Sequence, residues 1–437
     1  MQTAEFNHLE STFLNMDRRP DTWSVQVEVR VTGRIEETRL RDSIRYATEK
    51  HPIARARIQP YGEGAVRYFW DIPEQIDHLP LTVYDARTDK DVAAHRSRLQ
   101  SIQVPLSLSP GFMIYLVHHP KGDWLMINVN HTMGDGLSTF RIIQSIVRHY
   151  AGEPDPVPAL DPLSVRDLKK LAGSKTLTQR IERIKLLLDH LDKARNPPTR
   201  IKGRGVEVKH PDTLPGYGFE LLAFSPKETK QFMARRVKPA TVNDMLLAGL
   251  ALTIKQWNAQ HGARNGRTSI MMPVNLRPED WWFEVVTNFS SYVSVSLPAS
   301  AQTDFAATTQ AVCRQTTEYK EAGAAGVLID LLELPKLFPA VLKARLKELF
   351  PLFAGSLMET TILSNLGRLA TSPSMGDAGK ITDLYFTPPA PMPAGVSVGA
   401  ASMEDRMFLT VRYRLAHFDA AAAKDFGALY RQVLLIG

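Results

Sequence analysis

The segment from residue 112 to residue 150 constrains the fold more than any other part of the sequence. Two apolar runs, Phe112–Val117 and Trp124–Asn130, flank a turn that contains a proline and a glycine, a pattern typical of a β-hairpin. The polar run His131-Thr132-Met133-Gly134-Asp135-Gly136 follows, and apolar residues then recur at helical spacing up to Tyr150. The pattern predicts two paired strands, a tight turn and an amphipathic helix, with the polar run at the strand-to-helix junction.

The rest of the chain mixes strands and helices and predicts an α/β fold. In the first half, the alternation and spacing of apolar residues predict strands at Val25–Val31, Ile53–Ile58 and Val66–Trp70, and helices at Glu36–Lys50 and Asp91–Gln103. In the second half they predict helices at Thr241–Gln260 and Asp419–Leu434, and strands at Thr268–Val274, Phe289–Leu297, Thr360–Leu363, Val396–Ala401 and Phe408–Tyr413.

A proline-rich linker at residues 151–163 and a basic helical crossover at Ser164–Arg200 separate the two halves, and predict domains at 1–200 and 201–437. Residues 161–210 hold 13 lysines and arginines against 6 acidic residues, a surplus equal to the whole formal charge of +7. Because the remainder is neutral, nucleic acid is not a predicted partner. The crossover is interpreted as a solvated segment, or else as a surface for CoA phosphates, an acidic carrier protein or anionic lipid.

The sequence predicts a water-soluble, cytoplasmic monomer, with peripheral lipid contact as an open alternative. The single cysteine, Cys313, excludes an internal disulfide and is predicted to be a buried thiol. The first ten residues lack a signal-peptide pattern, and no uncharged apolar run reaches the ~18 residues of a membrane helix. The apolar segment at residues 326–358 is predicted to be helical and to border an apolar pocket.

The polar run after the hairpin, H-x-x-x-D-G, carries the chemistry that the sequence offers. An imidazole such as that of His131 titrates near neutrality and can act as a general base. Asp135 can shape the loop or cap the helix, and the N–H of Gly136 at the helix start is a candidate oxyanion donor. The alternative is that Asp135 is only a helix cap and His131 a core histidine. The nearby pair His118-His119 lies in the predicted turn and is interpreted as solvent-exposed.

Several other chemistries have no motif in this chain. A G-x-S-x-G nucleophile elbow, an H-E-x-x-H zinc site, a Walker A loop and a G-x-G-x-x-G dinucleotide loop are all absent from the sequence. We therefore predict no metal site and no permanently bound cofactor.

Segments spread along the chain resemble one superfamily. With H-x-x-x-D-G they are Phe13-Leu14, Leu40–Arg57, Thr241–Ala248, Pro273–Arg277 followed by Asn288-Phe289, and Ser364–Gly367. In this order the set resembles the CoA-dependent acyltransferase superfamily. That superfamily includes chloramphenicol acetyltransferase, the condensation domains of peptide synthetases, wax ester synthase/diacylglycerol acyltransferases and polyketide-associated acyltransferases.

The resemblance implies two chloramphenicol-acetyltransferase-like subdomains, arranged as a pseudo-dimer, with a tunnel between them and His131 at its middle. It implies that His131 deprotonates the acceptor and that Asp135 supports the loop by pairing with Arg277. The residues predicted to bind substrate are Asn130, Asn275, Ser364 and Asn365. Most members carry a second histidine where this chain has Asn130, but neighbouring residues of a strand face opposite ways, so the change should spare His131.

The function predicted from the resemblance is transfer of an acyl group from a thioester, such as acyl-CoA, to a hydroxyl acceptor by direct attack. A second hypothesis is a condensation-type enzyme that takes its acyl group from an acyl carrier protein and forms an amide or an ester. A third hypothesis, from a different class, is a non-catalytic binding or recruitment module of the same fold.

Overall fold

A computed structural model of the chain describes residues 2–17, 21–156, 160–193, 195–205, 216–278, 284–332, 338–343, 345, 358–369 and 374–436. The strands are β1 (Gln2–Glu5), β2 (Ser24–Val31), β3 (Arg57–Ile58), β4 (Phe69–Ile72), β5 (Leu81–Asp85), β6 (Phe112–His118), β7 (Trp124–Asn130), β8 (Tyr217–Ala223), β9 (Thr268–Asn275), β10 (Ser290–Leu297), β11 (Thr361–Arg368), β12 (Ile381–Thr387), β13 (Val396–Met403) and β14 (Arg406–Arg414). The helices are α1 (His8–Met16), α2 (Glu37–Lys50), α3 (Asp89–Ser101), α4 (Gly136–Ala151), α5 (Leu168–Ala172), α6 (Leu177–Lys193), α7 (Pro226–Ala234), α8 (Val242–Gln260), α9 (Phe305–Glu321), α10 (Gly326–Leu331) and α11 (Ala420–Leu435).

The first half is built on a five-stranded sheet in the order β12-β2-β7-β6-β5. The predicted hairpin of β6 and β7 is confirmed, and β2 pairs with the other edge of β7. Helices α2 and α4 pack together, α4 also covers β2, and every residue of the central strand β7 is buried. The predicted helix after the polar run is confirmed as α4.

The second half is built on a six-stranded sheet in the order β10-β9-β11-β13-β14-β8. Here β11 runs parallel to both β9 and β13, and the other pairs are antiparallel. The predicted cap of the long helix α8 is confirmed, since the Thr241 side chain accepts a hydrogen bond from the N–H of Asp244. Helix α8 packs against α9 and α11 over a core that includes Trp257 and Phe426.

One strand of the second half belongs to the sheet of the first. Strand β12 pairs antiparallel with β2, whereas β11 before it and β13 after it lie in the second sheet. The side chain of Arg412, on β14, donates hydrogen bonds to the carbonyl oxygens of Ser24 and Pro388 beside this crossing. The two halves therefore share a strand and a buried contact. The domain boundary near residue 200 stays a prediction.

Two local predictions were wrong. Residues 53–58 do not form one strand, because Pro52 begins a short 3-10 turn over Pro52–Arg55 and only Arg57–Ile58 pair in a sheet. His118 and His119 are buried and not solvent-exposed. The turn is stabilised by Asp123, whose carboxylate lies 2.7 Å from Nδ1 of His118 and accepts a bond from the N–H of His119. Asp123 thus satisfies the buried ring of His118 and the backbone of His119, while Nδ1 of the His119 ring accepts from the N–H of Lys121.

Other features of the described residues bear on the predictions. Cys313 is buried on α9, as expected. Of the predicted helical region at 326–358, α10 lies within the described residues, while residues 333–337, 344 and 346–357 lie outside them. Among the helices of the described ranges, none is long and apolar enough to cross a bilayer. The same ranges contain no group of three or more His, Cys, Asp or Glu side chains that could hold a metal ion.

Candidate active site

The backbone of the tight turn between β7 and α4 is held by both neighbouring strands and by Asn130. The N–H of His131 donates to the carbonyl oxygen of Trp23, the residue just before β2. The side-chain oxygen of Asn130 accepts from the N–H of Thr132, and its amide nitrogen donates to Asp17 and to the carbonyl of Val104. All of the polar atoms of Asn130 therefore have partners inside the protein. These contacts favour a supporting role, and its role in substrate binding stays a prediction.

The His131 ring is held between an aromatic side chain and an amide. The Phe13 ring stacks on it, with centroids 4.0 Å apart and planes 10° from parallel. From the second half, the amide nitrogen of Asn288 donates to the His131 carbonyl oxygen at 2.6 Å and lies 3.2 Å from Nδ1. The side-chain oxygen of Asn288 accepts from the N–H of Ser290, which orients the amide. The imidazole thus lies where the two halves meet, with only 7% of the residue exposed.

Burial lowers the pKa of His131 to about 4. Hydrogen bonding to the backbone of His131 itself and of Gly134, together with the negative charge of Asp135, acts in the opposite direction but does not restore the ordinary value. The ring is therefore neutral at pH 7. A neutral imidazole can accept a proton, which an imidazolium cannot.

Asp135 has two tasks. It caps α4 by accepting a hydrogen bond from the N–H of Ser138 at 2.9 Å. It also forms a bidentate ion pair with Arg277, whose Nη1 and Nη2 lie 2.7 and 3.0 Å from its two carboxylate oxygens, and it accepts from the N–H of Phe289. Burial raises the pKa of Asp135, but Arg277 and these hydrogen bonds outweigh burial and hold the pKa below its usual range. The structure thus brings together the two residues predicted as partners.

The guanidinium of Arg277 is buried and bonded on every side. It donates to the side chains of Asp135, Asn275 and Ser138, and to the carbonyl oxygens of Val285 and Thr287. Only a planar fork of five N–H donors can serve so many acceptors at once. Asn275, at the end of β9, uses its side-chain oxygen here, while its buried amide nitrogen has no hydrogen-bond partner among the described residues. That nitrogen is a free donor close to the ion pair.

A second buried carboxylate supports the arrangement from α1. Glu10 accepts bonds from the N–H of Asn7 and from the indole of Trp70, and pairs with Arg166. Its other oxygen accepts from the hydroxyl of Thr287 at 2.6 Å. Since Thr287 precedes Asn288, Glu10 ties α1 to the segment that holds His131.

Gly136 and the end of β11 meet at the start of α4. A Cβ atom on Gly136 would lie 2.7 Å from Cδ2 of Leu366 and 2.8 Å from a ring carbon of Phe386, so a side chain here would require both neighbours to shift. Ser364 and Asn365 lie two residues and one residue before Leu366 on β11, and in the described part of the chain neither hydrogen-bonds with His131. Their role in substrate binding, and that of the Gly136 N–H toward an oxyanion, stay predictions.

Sequence reasoning missed the residues that hold the imidazole and the ion pair from a distance. These are Phe13, Asn288, Ser138, Thr287 and Glu10. Phe13 and Asn288 were visible only as parts of the resemblance, without a role. The capping box of Asn7 and Glu10 at the start of α1 was a further local signal. A buried neutral histidine beside an arginine-paired aspartate, at the junction of two α/β halves, is the arrangement that the resemblance to acyltransferases and condensation domains implies.

Comparisons with known proteins agree with this class. Residues 11–188 match the family model described as Condensation domain. An uncharacterized protein of Mycobacterium tuberculosis, found in two strains, is 36% identical over 439 residues that cover 99% of each chain. The chain belongs to the condensation-domain family of the CoA-dependent acyltransferase superfamily.

Solved structures share the fold over nearly the whole chain. The first condensation domain of the calcium-dependent antibiotic synthetase, in complex with a substrate analogue, has a TM-score of 0.72 at 12% identity and covers 99% of this chain and 96% of its own. The trichothecene 15-O-acetyltransferase of Fusarium sporotrichioides has a TM-score of 0.70 at 10% identity, with coverage of 99% and 95%. A starter condensation domain of rhizomide synthetase, in complex with C8-CoA and Leu-SNAC, has a TM-score of 0.66 at 12% identity, with coverage of 99% and 94%. The predicted architecture of two chloramphenicol-acetyltransferase-like subdomains is thereby confirmed.

Proposed function

We propose that this protein transfers an acyl group from a thioester, acyl-CoA in the first instance, to a hydroxyl acceptor, with His131 as the general base. The observation that carries the proposal is the neutral imidazole of His131, buried between the two halves with its pKa lowered to about 4. The ring is unprotonated at neutral pH and can accept a proton, but with a pKa of about 4 it is a weaker base than the near-neutral imidazole that the sequence predicted. In the tunnel predicted between the halves, donor and acceptor would reach it from opposite faces.

The proposal assigns the imidazole proton to Nδ1. A hydrogen bond from a ring N–H to a backbone carbonyl stabilises the protonated ring and so raises the pKa. The backbone of His131 and of Gly134 has this effect on the pKa of His131. The Asn288 amide could donate a hydrogen bond to Nδ1 only in the tautomer that carries its proton on Nε2. The Asn288 amide has two N–H groups and can serve both atoms, so we base the first arrangement on the backbone contacts of the ring, which require a ring N–H as donor. Nε2 then carries the lone pair that accepts the proton.

The reaction needs one base and no covalent enzyme intermediate. Nε2 of His131 takes the hydroxyl proton while the hydroxyl oxygen bonds to the thioester carbonyl carbon, which gives a tetrahedral oxyanion. The oxyanion collapses, the carbon–sulfur bond breaks, and the leaving thiolate takes the proton back from the imidazolium. The products are an ester and a free thiol. The acyl thioester is a co-substrate here and not a resident group.

In this proposal Asp135 and Arg277 are positioning residues. Neither accepts the proton, because the Asp135 carboxylate is engaged by Arg277, Ser138 and Phe289. Their ion pair sets the shape of the loop that presents His131 and joins it to the second half.

The direct test is a panel of acyl-CoA donors of different chain length, incubated with a mixture of alcohols and amines and followed by mass spectrometry of products and by release of free thiol. We expect ester products with the wild type and none above background with His131→Ala. The exposed residue His78 provides the matched control, and His78→Ala should keep full activity. Product formation that survives His131→Ala unchanged would overturn the proposal, and a biological effect without turnover would favour the binding-module hypothesis.

A second candidate is condensation with a carrier-protein-bound donor. It is favoured by the match of residues 11–188 to the condensation-domain model and by the likeness to condensation domains of peptide synthetases. The same donor acyl group should be offered once on CoA and once on an acyl carrier protein. A much higher kcat/KM with the carrier-bound donor, or amide products only, would select this candidate.

A further inference from the structure

Helix α6 is attached to the protein body by polar contacts. On its inner face Arg183 is buried and donates to the carbonyl oxygen of Ala172 at 2.9 Å and to Asp330 at 2.9 Å. Asp330, on α10, also accepts a bond from the N–H of Ser174. Leu186 and Leu187, both half-buried, lie on the same inner face, so α6 contacts the protein through this ion pair and a short apolar row.

Four other apolar side chains of α6 face outward. Leu177, Ile181, Ile184 and Leu188 are between 46 and 75% exposed. Their spacing of four, three and four residues places them within an arc of about 60° over a length of about 16 Å. Four exposed aliphatic side chains in one row form a contiguous apolar stripe, which soluble surfaces rarely leave without a partner.

Basic residues flank this stripe. Arg180 and Lys185, both exposed, lie about 40° beyond it on either side, and Lys170 and Lys175 precede the helix. The acidic residues Glu182 and Asp189 lie farther around the helix, beyond Lys185. Over residues 161–210 the charge surplus is +7, the whole surplus of the chain. The stripe therefore carries positive charge at both borders.

We propose that α6 is a docking surface for an anionic lipid bilayer. In an interfacial helix that lies in the plane of a membrane, aliphatic side chains enter the acyl region and basic side chains at the borders contact the headgroups. A row of four aliphatic residues with a cation on each side has this form, and binding to an acidic protein is an alternative outcome of the test. The surface is independent of the acyl-transfer site and does not rest on its chemistry.

The test uses the full chain in vesicle co-sedimentation, with vesicles of phosphatidylcholine alone and of phosphatidylcholine mixed with phosphatidylglycerol. We expect wild type to sediment with the anionic vesicles only. The combined variant Leu177→Gln, Ile181→Gln, Ile184→Gln and Leu188→Gln should bind at least about tenfold more weakly. Arg180→Gln with Lys185→Gln should weaken binding by about tenfold and reduce its salt dependence.

The matched control is Ile436→Gln, because Ile436 is 74% exposed, like Leu177, but lies outside α6. This variant should bind as wild type does, and unchanged circular dichroism should verify the fold of every variant. Failure of wild type to bind anionic vesicles, or equal binding by the fourfold variant, would overturn the proposal. It would also be overturned if the stripe instead mediates self-association of the chain, or binding to an acidic carrier protein, without vesicle binding.

Discussion

Two buried arginines join the halves of this protein, and their surroundings differ. Arg277 faces a carboxylate at 2.7 and 3.0 Å and four further acceptors around the loop that carries His131. Arg412 donates to the carbonyls of Ser24, Pro388 and Gln100 at 3.2 to 3.3 Å, and its guanidinium lies 3.8 Å above the Tyr217 ring. In the described part of the chain Arg412 forms no ion pair. Burial lowers the pKa of Arg412 to about 10, so it remains charged at pH 7.

In the proposed mechanism, one residue type thus supports chemistry in one place and assembly in another. Removal of Arg277 would leave Asp135 as a buried, unpaired charge beside the imidazole. Removal of Arg412 would leave only neutral acceptors unpaired, which costs less and does not touch the loop that carries His131. The two sites therefore predict different combinations of lost activity and lost stability.

The largest effect is expected from Arg277→Ala. The free energy of unfolding should fall by about 3–5 kcal/mol because Asp135 stays buried without its partner. Acyl transfer should fall below detection even at temperatures where the variant is folded. Urea unfolding and product assays on the folded fraction would measure both, and Arg277→Lys, which keeps the charge but not the fork, should restore stability in part only. Full activity in either variant would contradict the assignment.

A smaller effect, on stability alone, is expected from Arg412→Met. The methionine keeps much of the apolar contact with Tyr217 but leaves carbonyl acceptors unpaired, so the free energy of unfolding should fall by about 1–3 kcal/mol. Activity per folded molecule should be unchanged, as measured by product formation normalised to the folded fraction. If Arg412→Met abolished activity while the protein stayed folded, Arg412 would have to act on the site, and the contrast with Arg277 would be lost.

The variant Asn288→Ala tests the contact between the second half and His131 without changing Arg277. It removes the amide that donates to the His131 carbonyl but leaves the Asp135–Arg277 pair in place. We expect kcat/KM to fall about 10- to 100-fold, with a loss of about 1–2 kcal/mol in the free energy of unfolding. The exposed Asn196 gives the control Asn196→Ala, which should change neither quantity.

The ¹⁵N chemical shifts of the His131 ring in wild type should show the proton on Nδ1, and a proton on Nε2 would contradict the proposed tautomer.

The smallest change is expected in the pH profile. Because the pKa of His131 lies near 4, kcat/KM should stay constant between about pH 8 and about pH 5 and fall only as the pH approaches 4. Because this pKa is lowered on folding, the unfolded chain binds more protons than the folded protein between about pH 6.5 and about pH 4. The free energy of unfolding therefore also falls as the pH drops through that window. His51, with its pKa lowered to about 3 by burial, adds a loss of the same sign.

Asp135 acts in another window. Its lowered pKa contributes stability that is fully present above the unfolded pKa and is lost as the pH falls through the folded pKa. Comparison of unfolding curves for wild type and His131→Gln isolates the His131 contribution from those of His51 and Asp135. If kcat/KM instead fell as the pH dropped through about 6.5, the His131 ring would be more exposed to solvent than it is in the structure.

Local order along the chain was predictable from the sequence because it depends on neighbouring residues. The hairpin of β6 and β7, the helices α4 and α8 and the Thr241 cap follow from apolar spacing and capping residues. The position of His131 at a strand-to-helix junction has the same origin. The resemblance added the pairing of Asp135 with Arg277, which local patterns do not contain.

Tertiary structure alone decided three features. Strand β12 leaves its own half to pair with β2, the turn around Asp123 buries His118, and the apolar stripe of α6 faces outward. The first and the third depend on contacts between residues far apart in the chain, and the second depends on a side-chain contact across five residues; no apolar period records any of them. The same holds for the low pKa of His131, because desolvation is a property of everything packed around the ring, from Phe13 on one half to Asn288 on the other. The sequence by itself thus determined which residue carries the imidazole, and packing decided that this imidazole is neutral.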